Sequence, residues 1–424
     1  MLGESQHSAH SNLAAKDLLG NALRFVSTIV GIVLAALWRL VKSAINRATP
    51  LILKLAIRNL LHDRLRFAAT IIGIVFSMTL VTMQLGLFIS FELMVTTMID
   101  HAPADLWIVA HGTKCFEQPV PLNEAQRLRA LSVKGVMDAT AVAIGFAQWR
   151  MQDSDETPVF VIGTDLDGSG LRPWNLIAGN VAALAIPGAV AIDRSYFKRL
   201  ESKGLGDIAE ISNERVQVQA VTSGIRSFTT SPYVFAPLDR ARAYIGLSPD
   251  EATYFLVNVS AGADIEAVRR RLQQTLSQVE ILTPDEFRGR SRTFWLFETG
   301  AGAALFAGAL LGFIVGTVIV AQTLYASTKD HLPEFATLRA IGCSGTYIRA
   351  IIIIQALLSA IIGFGIAASL GVLIAKATAE SALPVVIPPA LTLGLLILTV
   401  TMCVISAVSA IVKVTRMDPA MVFA

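Results

Sequence analysis

The residues of this chain that could do chemistry begin with His101 and His111, which stand near Asp100, Asp105 and Cys115. Imidazole, carboxylate and thiolate are the donors of a zinc or similar centre. A metal site is one reading of the stretch, and polar surface beside a membrane is the other. Asp165, Asp167 and Gly168 are spaced like the start of a calcium loop, but no closing glutamate follows, so the run reads as a turn. Cys115, Cys343 and Cys403 are odd in number and irregular in spacing, which excludes a disulfide framework and a cysteine-based zinc site. Neither H-E-x-x-H nor G-x-S-x-G occurs, and no nucleophile–base constellation can be assembled. Nor is there a G-x-x-x-x-G-K-[ST], the spacing that lets backbone amides surround phosphate. The chain therefore reads as a non-enzyme that binds no cofactor and hydrolyses no ATP.

The elements that would position any site are mostly membrane spans. Hydrophobic residues make up 54% of the chain and charged residues 16%, with a mean hydropathy of +0.59. The net charge of +3 comes without a basic cluster interleaved with aromatics, so nucleic acid is not the partner. Crossing the hydrocarbon takes about 20 apolar residues. Four stretches qualify, 67–91, 300–325, 348–374 and 390–412, free of charge but for Arg349 at the edge of the third. Phe25–Trp38 is shorter and bracketed by Arg24 and Arg39; it is either an interfacial or buried helix or a fifth span. Basic residues flank the spans on one side: Lys54, Arg58, Arg64 and Arg66, then Lys329, Arg339 and Arg349, then Lys413 and Arg416. The loop between spans three and four has only Lys376. With basic flanks inside, both core ends are cytoplasmic and residues 92–297 lie outside.

That outer segment reads as a mixed α+β domain. Strands are expected at 104–110, 158–164, 189–193, 215–223 and 253–260, and helices at Asn123–Leu131 and Asp264–Gln278. In the second helix Ile265, Val268, Leu272 and Leu276 share a face, with Arg269, Arg270 and Arg271 toward solvent. Two subdomains are consistent with this alternation.

Small residues recur every fourth position in two spans. Gly300, Ala304, Gly308, Gly312 and Gly316 do so in the second, and Ser359, Gly363, Ala367 and Gly371 in the third. This spacing lets helices approach closely, either within one bundle or across a dimer. In the first span, Ser77, Thr79, Thr82 and Gln84 read as interhelical hydrogen-bond partners or as a cavity lining. Residues 53–67 place Leu53, Ala56, Ile57, Leu60 and Leu61 opposite Lys54, Arg58, Asn59 and Asp63, as an interfacial helix would. Residues 327–348 form a polar loop with a helix starting at Pro333 and ending at Gly342 and Gly345, suited to a soluble partner.

KLAIRNLLHDRLRF ahead of the first span, EFATLRAIGCSGTYI after the second and VTRMDPAMVF after the fourth resemble the FtsX/MacB-type permeases of ABC transporters. GDIAEISNERVQVQAVTSG, SPYVFAPLDRARAYIG and the helix at Asp264–Gln278 look like the periplasmic core domain of that family. The likeness covers about 51–424, is closest in flavour to DevC-like permeases, and leaves the leader 1–50 out. It implies a four-helix membrane bundle with an α+β domain inserted between helices 1 and 2. The expected order is interfacial helix 51–66, spans 67–91, 300–325, 348–374 and 390–412, outer domain 92–297, coupling loop 326–347 and tail 413–424.

The same resemblance implies a bacterial inner-membrane dimer, a homodimer in the simplest case, above two ATPase subunits that carry the ATP and Mg. It is of the mechanotransmission, or type VII, class. ATPase contact would fall on Glu334, Leu338, Arg339, Ala340, Ile341 and Gly342, helped by Arg58, Arg64 and Arg66. The family's loop is rich in E-R-x-x-E, whereas here Pro333 sits beside Glu334. The expected function is ATP-driven motion passed to the periplasmic domain, for export through a periplasmic adaptor and an outer-membrane channel. Regulation of a periplasmic enzyme, and extraction of lipid or lipoprotein, remain open.

Overall fold

The computed structural model describes residues 50–151, 155–165, 170–229 and 231–415. The stretch Phe25–Trp38, Asp167 and Gly168, and the tail from Arg416 lie outside the described residues. The chain divides into two compact units. One comprises residues up to Met83, Gly308–Leu373 and Ile387 onward; the other comprises Gln84–Ala307 and Ile374–Val386.

In the first unit, α1 (Pro50–His62) leads to α2 (Arg64–Asp100) through a break at Asp63. Asp63 caps the new helix: its carboxylate accepts from the Arg66 amide at 3.4 Å and its carbonyl from the Phe67 amide at 3.0 Å. Helices α2, α8 (Ala301–Asp330), α10 (Gly345–Thr378) and α11 (Pro389–Thr415) are long and apolar enough to cross a membrane. All four are longer than the about 20 residues that cross the hydrocarbon. At 37 residues α2 is about 55 Å long. Hydropathy fades at Glu92, but the helix persists because Met94, Val95, Met98 and Ile99 are buried, and it ends only where Pro103 forbids continuation. On α1, Leu53, Ile57 and Leu61 are exposed, Ile52 and Ala56 are buried, and Asn59 is buried with them. Asn59 thus departs from the polar face expected of it, because the helix has a protein-facing side as well as a lipid-facing one.

The second unit is built on a mixed sheet. Its strands are β1 (Leu106–Ala110), β3 (Val136–Arg150), β4 (Thr157–Thr164), β5 (Leu176–Gly179), β6 (Ala189–Asp193), β7 (Ile208–Ile211), β8 (Glu214–Thr222), β9 (Tyr233–Pro237), β11 (Tyr254–Val259) and β12 (Val279–Leu282). The order is β12-β1-β11-β3-β4-β9-β6-β8-β5, with β7 joining β3 and β8. Two pairs, β4–β9 and β6–β8, are parallel and the rest antiparallel. A separate ribbon pairs β2 (Leu122–Asn123) with β10 (Glu251–Ala252).

Alternation along β1 sends Trp107 and Val109 into one core and Leu106 and Ile108 into another. The second core is closed by α3 (Glu124–Leu131) and α6 (Ile265–Thr275), through Ala130, Val268 and Leu272. A short α4 (Phe197–Leu200) and α5 (Leu238–Ile245) complete a third core with Val159, Val161, Val216 and Val218. Helix α5 approaches closely because β4 and β3 carry glycine there. A Cβ on Gly163 would lie 2.4 Å from that of Ala241, and one on Gly145 would lie 3.2 Å from Ile245. On α6, Arg269 does not face solvent as expected; it donates to the Ile281 carbonyl at 3.0 Å and pairs with Glu286 at 2.8 Å.

The loop after α10 belongs to this unit. Glu380 pairs with Arg194 at 2.7 Å, the Ala379 carbonyl accepts from Arg226 at 2.6 Å, and Ala382 packs on the third core. The loop between the third and fourth spans is thereby strapped to the outer domain.

Candidate functional site

The start of α2 and the end of α8 meet at Arg66. Its guanidinium pairs with Asp63 at 3.1 Å, donates to the Ala326 carbonyl at 3.4 Å, and forms an ion pair with Asp330. This joins the start of α2 to the last turn of α8, where a cation also suits the helix C-terminus. Arg66 is therefore a clamp inside the bundle, while Arg58 and Arg64 are exposed. Arg66→Glu would set a carboxylate against Asp63 and Asp330. Because the pair is half-exposed, the expected loss is below about 1 kcal/mol in thermal unfolding. Asp330→Arg in the same chain should restore part of it, the signature of a direct pair.

After α8 the chain kinks at His331 and re-forms α9 (Leu332–Ala340). Pro333 has no amide to give to the α8 ladder, so the long helix stops and a short one begins. His331 is nearly buried and its ring lies 3.2 Å from the exposed carboxylate of Glu334. Helix α9 closes with the Cys343 amide donating to the Leu338 carbonyl at 3.0 Å, and Gly342 holds φ +103°. This is a Schellman closure that needs glycine at the left-handed position. It presents Ile341, 78% exposed, beside a glycine with open space around it. Leu338 is half-buried, and Arg339 and Ala340 lie in the last turn of α9. Glu334, Ile341 and Gly342 thus form one exposed tip, an apolar side chain flanked by charge.

The small-residue stripes meet neighbours in the same chain. Cβ atoms at Gly312 and Gly316 would strike α2, the first at 3.2 Å from Leu80 and Val81, the second at 2.1 Å from the Ser77 hydroxyl. Ser77 donates to the Gly312 carbonyl at 2.6 Å, and Ser406 of α11 to that of Thr317 at 2.9 Å. A Cβ at Gly363 would lie 2.5 Å from Ile74, and one at Gly371 3.2 Å from Thr82. Gly308 is half-buried. Of the polar residues in α2, Ser77 bridges helices, and Thr82 turns back to the Met78 carbonyl at 2.6 Å beside a cavity of about 40 Å³.

The histidines flagged near the start of the outer domain do not converge. His101 stacks on Trp174 at 3.9 Å, and His111 faces Glu280 at 3.4 Å. Among the described residues no three histidine, cysteine, aspartate or glutamate side chains are grouped to hold a metal. Asp63, Asp330 and His331 were not singled out as site residues; the charge pattern on either side of two separate spans was the available signal.

Known proteins agree with this layout. The profile of the MacB-like periplasmic core domain matches residues 67–275, and that of the FtsX-like permease C-terminal matches residues 306–419. The chain is an FtsX/MacB-type ABC transporter permease. Uncharacterized ABC transporter permeases from two strains of Mycobacterium tuberculosis are each 24% identical to it over 353 residues, covering 82% of this chain and 92% of the relative. Two solved structures are also similar. The periplasmic region of MacB from Actinobacillus actinomycetemcomitans is 13% identical with a TM-score of 0.35, covering 45% of this permease and 94% of that chain. The extracellular domain of the noncanonic ABC-type transporter YknZ from Gram-positive bacteria is 13% identical with a TM-score of 0.32, covering 42% and 99%. The permease thus has the family's membrane helices and inserted domain, and proteins of this type are transporter components that work with an ATPase partner.

Proposed function

We propose that the permease passes ATP-driven motion across a bacterial inner membrane to its outer domain, in the service of export through a periplasmic adaptor and outer-membrane channel. The observation that carries this reading is helix α2, unbroken from the Asp63–Arg66–Asp330 junction to Asp100. A continuous helix transmits an axial push better than a hinged one. The ATPase subunits hold the ATP and Mg and press on the α9 tip of each copy in a permease homodimer. The apolar character of the spans favours motion over a wide aqueous path. Rigid coupling needs no channel through the bundle.

The test is mild-detergent purification of the tagged full-length permease from its native cells. An ATPase subunit and an adaptor should co-purify. A periplasmic hydrolase in place of the adaptor would turn the reading toward regulation of an enzyme. Protease accessibility of residues 92–297 from the cytoplasmic side would end it.

A further inference from the structure

Among the described residues two carboxylates of the outer domain, Glu117 and Asp193, are buried without an ion pair; Asp193 is satisfied by donors from Ser195, Thr222 and Ile225. Glu117 is 4% exposed, and its Oε2 accepts from the Trp295 indole N–H at 2.9 Å. Tyr233 of β9 offers its hydroxyl to Oε1 at 3.5 Å, and Cys115 lies on the same short segment. The other neighbouring groups are neutral or engaged elsewhere. Tyr254 of β11 donates to the carbonyls of Cys115 and Phe116. On α7 (Pro284–Thr293), Arg288 pairs with Asp100 and Asp285, Arg290 with Glu280, and Arg292 with Glu92 of α2. Lys114 lies over the Phe294 ring at 5.6 Å.

Trp295 sits at a joint. Residues Phe294–Glu298 form a π-turn, closed by the Thr299 amide donating to the Phe294 carbonyl at 3.0 Å. Gly300 follows at φ +76°, and α8 begins at Ala301. Single π-turns inside helices are rare and are frequent at functional sites. The Trp295 ring packs edge-on against Phe228 at 4.6 Å, which in turn meets Phe91 of α2 at 4.9 Å. Met94 and Val95 of α2 complete that cluster. Trp295 therefore touches the outer turns of α2 through this cluster and lies six residues ahead of the start of α8.

We propose that Glu117 is a proton-binding switch that sets how firmly Trp295, and with it the joint into the second span, is held. An ionised Glu117 is an uncompensated buried charge whose relief is hydrogen bonding from Trp295 and Tyr233, so it grips both. A protonated Glu117 no longer needs those donors, and the joint loosens. The conformational state of the permease then responds to the pH around its outer domain. Burial supports this, pushing the Glu117 carboxyl up to about 7, with the Trp295 and Tyr233 hydrogen bonds opposing the rise.

The linkage has a definite sign. From the ordinary value of 4.5 up to about 7, the folded chain keeps a proton that the unfolded chain has released. Stability therefore falls as pH rises through that window, by on the order of a hundredfold in the folding equilibrium.

The experiment is thermal unfolding of the detergent-solubilised full chain from pH 5.5 to 8.5, alongside tryptophan emission read as wild type minus Trp295→Phe. Wild type should lose stability toward a plateau near pH 7, and the Trp295 emission should shift with the same midpoint. Glu117→Gln should be flat in both. Tyr233→Phe removes a donor to the ionised form and should raise the midpoint; it carries the test if Glu117→Gln does not fold. The same pH dependence in Glu117→Gln would overturn the proposal. So would a flat wild type, or Trp295 emission unchanged across the stability transition.

Discussion

Gly316→Val should lower the unfolding temperature and the folded yield of the permease clearly, whereas Gly365→Ala and Gly394→Ala should be close to silent. The difference is geometric. A Cβ at Gly316 would stand 2.1 Å from the Ser77 hydroxyl, 2.5 Å from the Ser77 Cβ and 2.9 Å from the Met402 sulfur. Three helices meet there, and none of those atoms is the far end of a flexible chain except the sulfur. Ser77 cannot turn away freely, because its hydroxyl is committed to the Gly312 carbonyl at 2.6 Å. Overpacking a close-packed site costs about 1–3 kcal/mol. The lost interhelical hydrogen bond adds roughly 0.6 kcal/mol in a membrane. Together these remove a large fraction of the about 5–15 kcal/mol by which proteins are folded. Gly365 and Gly394 have nothing within 4 Å of a built Cβ, so a methyl there meets open space. The measurement is the monodisperse fraction and unfolding temperature of each variant in one detergent. Equal behaviour of Gly316→Val and Gly365→Ala would show that the stripe does not pack as described.

How much of this was legible in the sequence follows from the range of the forces involved. The spans were legible because a single charge inside the hydrocarbon is costly over a whole helix, and each helix is scored by its own residues. Strands β1, β4, β6, β8 and β11 were legible where alternation or apolar runs are strong. The long strand β3 was not, because VMDATAVAIGFAQWR is rich in alanine and glycine. Gly145 among them lets α5 approach, its built Cβ falling 3.2 Å from Ile245, a tertiary reason with no local signature. The outer turns of α2 were hidden for a related reason: hydropathy stops at Glu92, whereas burial of Met98 and Ile99 depends on the sheet. The glycine stripes were visible as stripes, but their partners were not; Ile74, Ser77 and Leu80 are reached only once the helices are assembled. The clamp at Arg66 joins residues more than two hundred positions apart, and neither partner is unusual alone. Glu117 gives the weakest trace of all, one acid in an apolar segment, since only the fold brings Trp295 to it.

Gly342→Glu and Arg339→Glu should uncouple ATP hydrolysis from the permease without unfolding it. Gly342 occupies the left-handed position that ends α9, and any side chain there is strained at φ +103°. The cost is about 1–2 kcal/mol, local to a short exposed helix end, so the bundle survives. Strain would loosen the closure in which the Cys343 amide binds the Leu338 carbonyl, and Ile341 would lose its fixed presentation beside it. A carboxylate at 342 would also stand at a helix C-terminus, where negative charge is unfavourable. Arg339→Glu reverses charge in the same last turn and repeats that penalty. If the ATPase docks on this tip, ATPase stimulation by the reconstituted permease should fall at least tenfold in either variant, while unfolding temperature moves by only a few degrees. Gly342→Ala is the graded control, and it should keep part of the stimulation because its side chain brings strain without charge. Full stimulation in Gly342→Glu would place the contact elsewhere on the cytoplasmic face, with exposed Arg58 and Arg64 as the next surface to reverse.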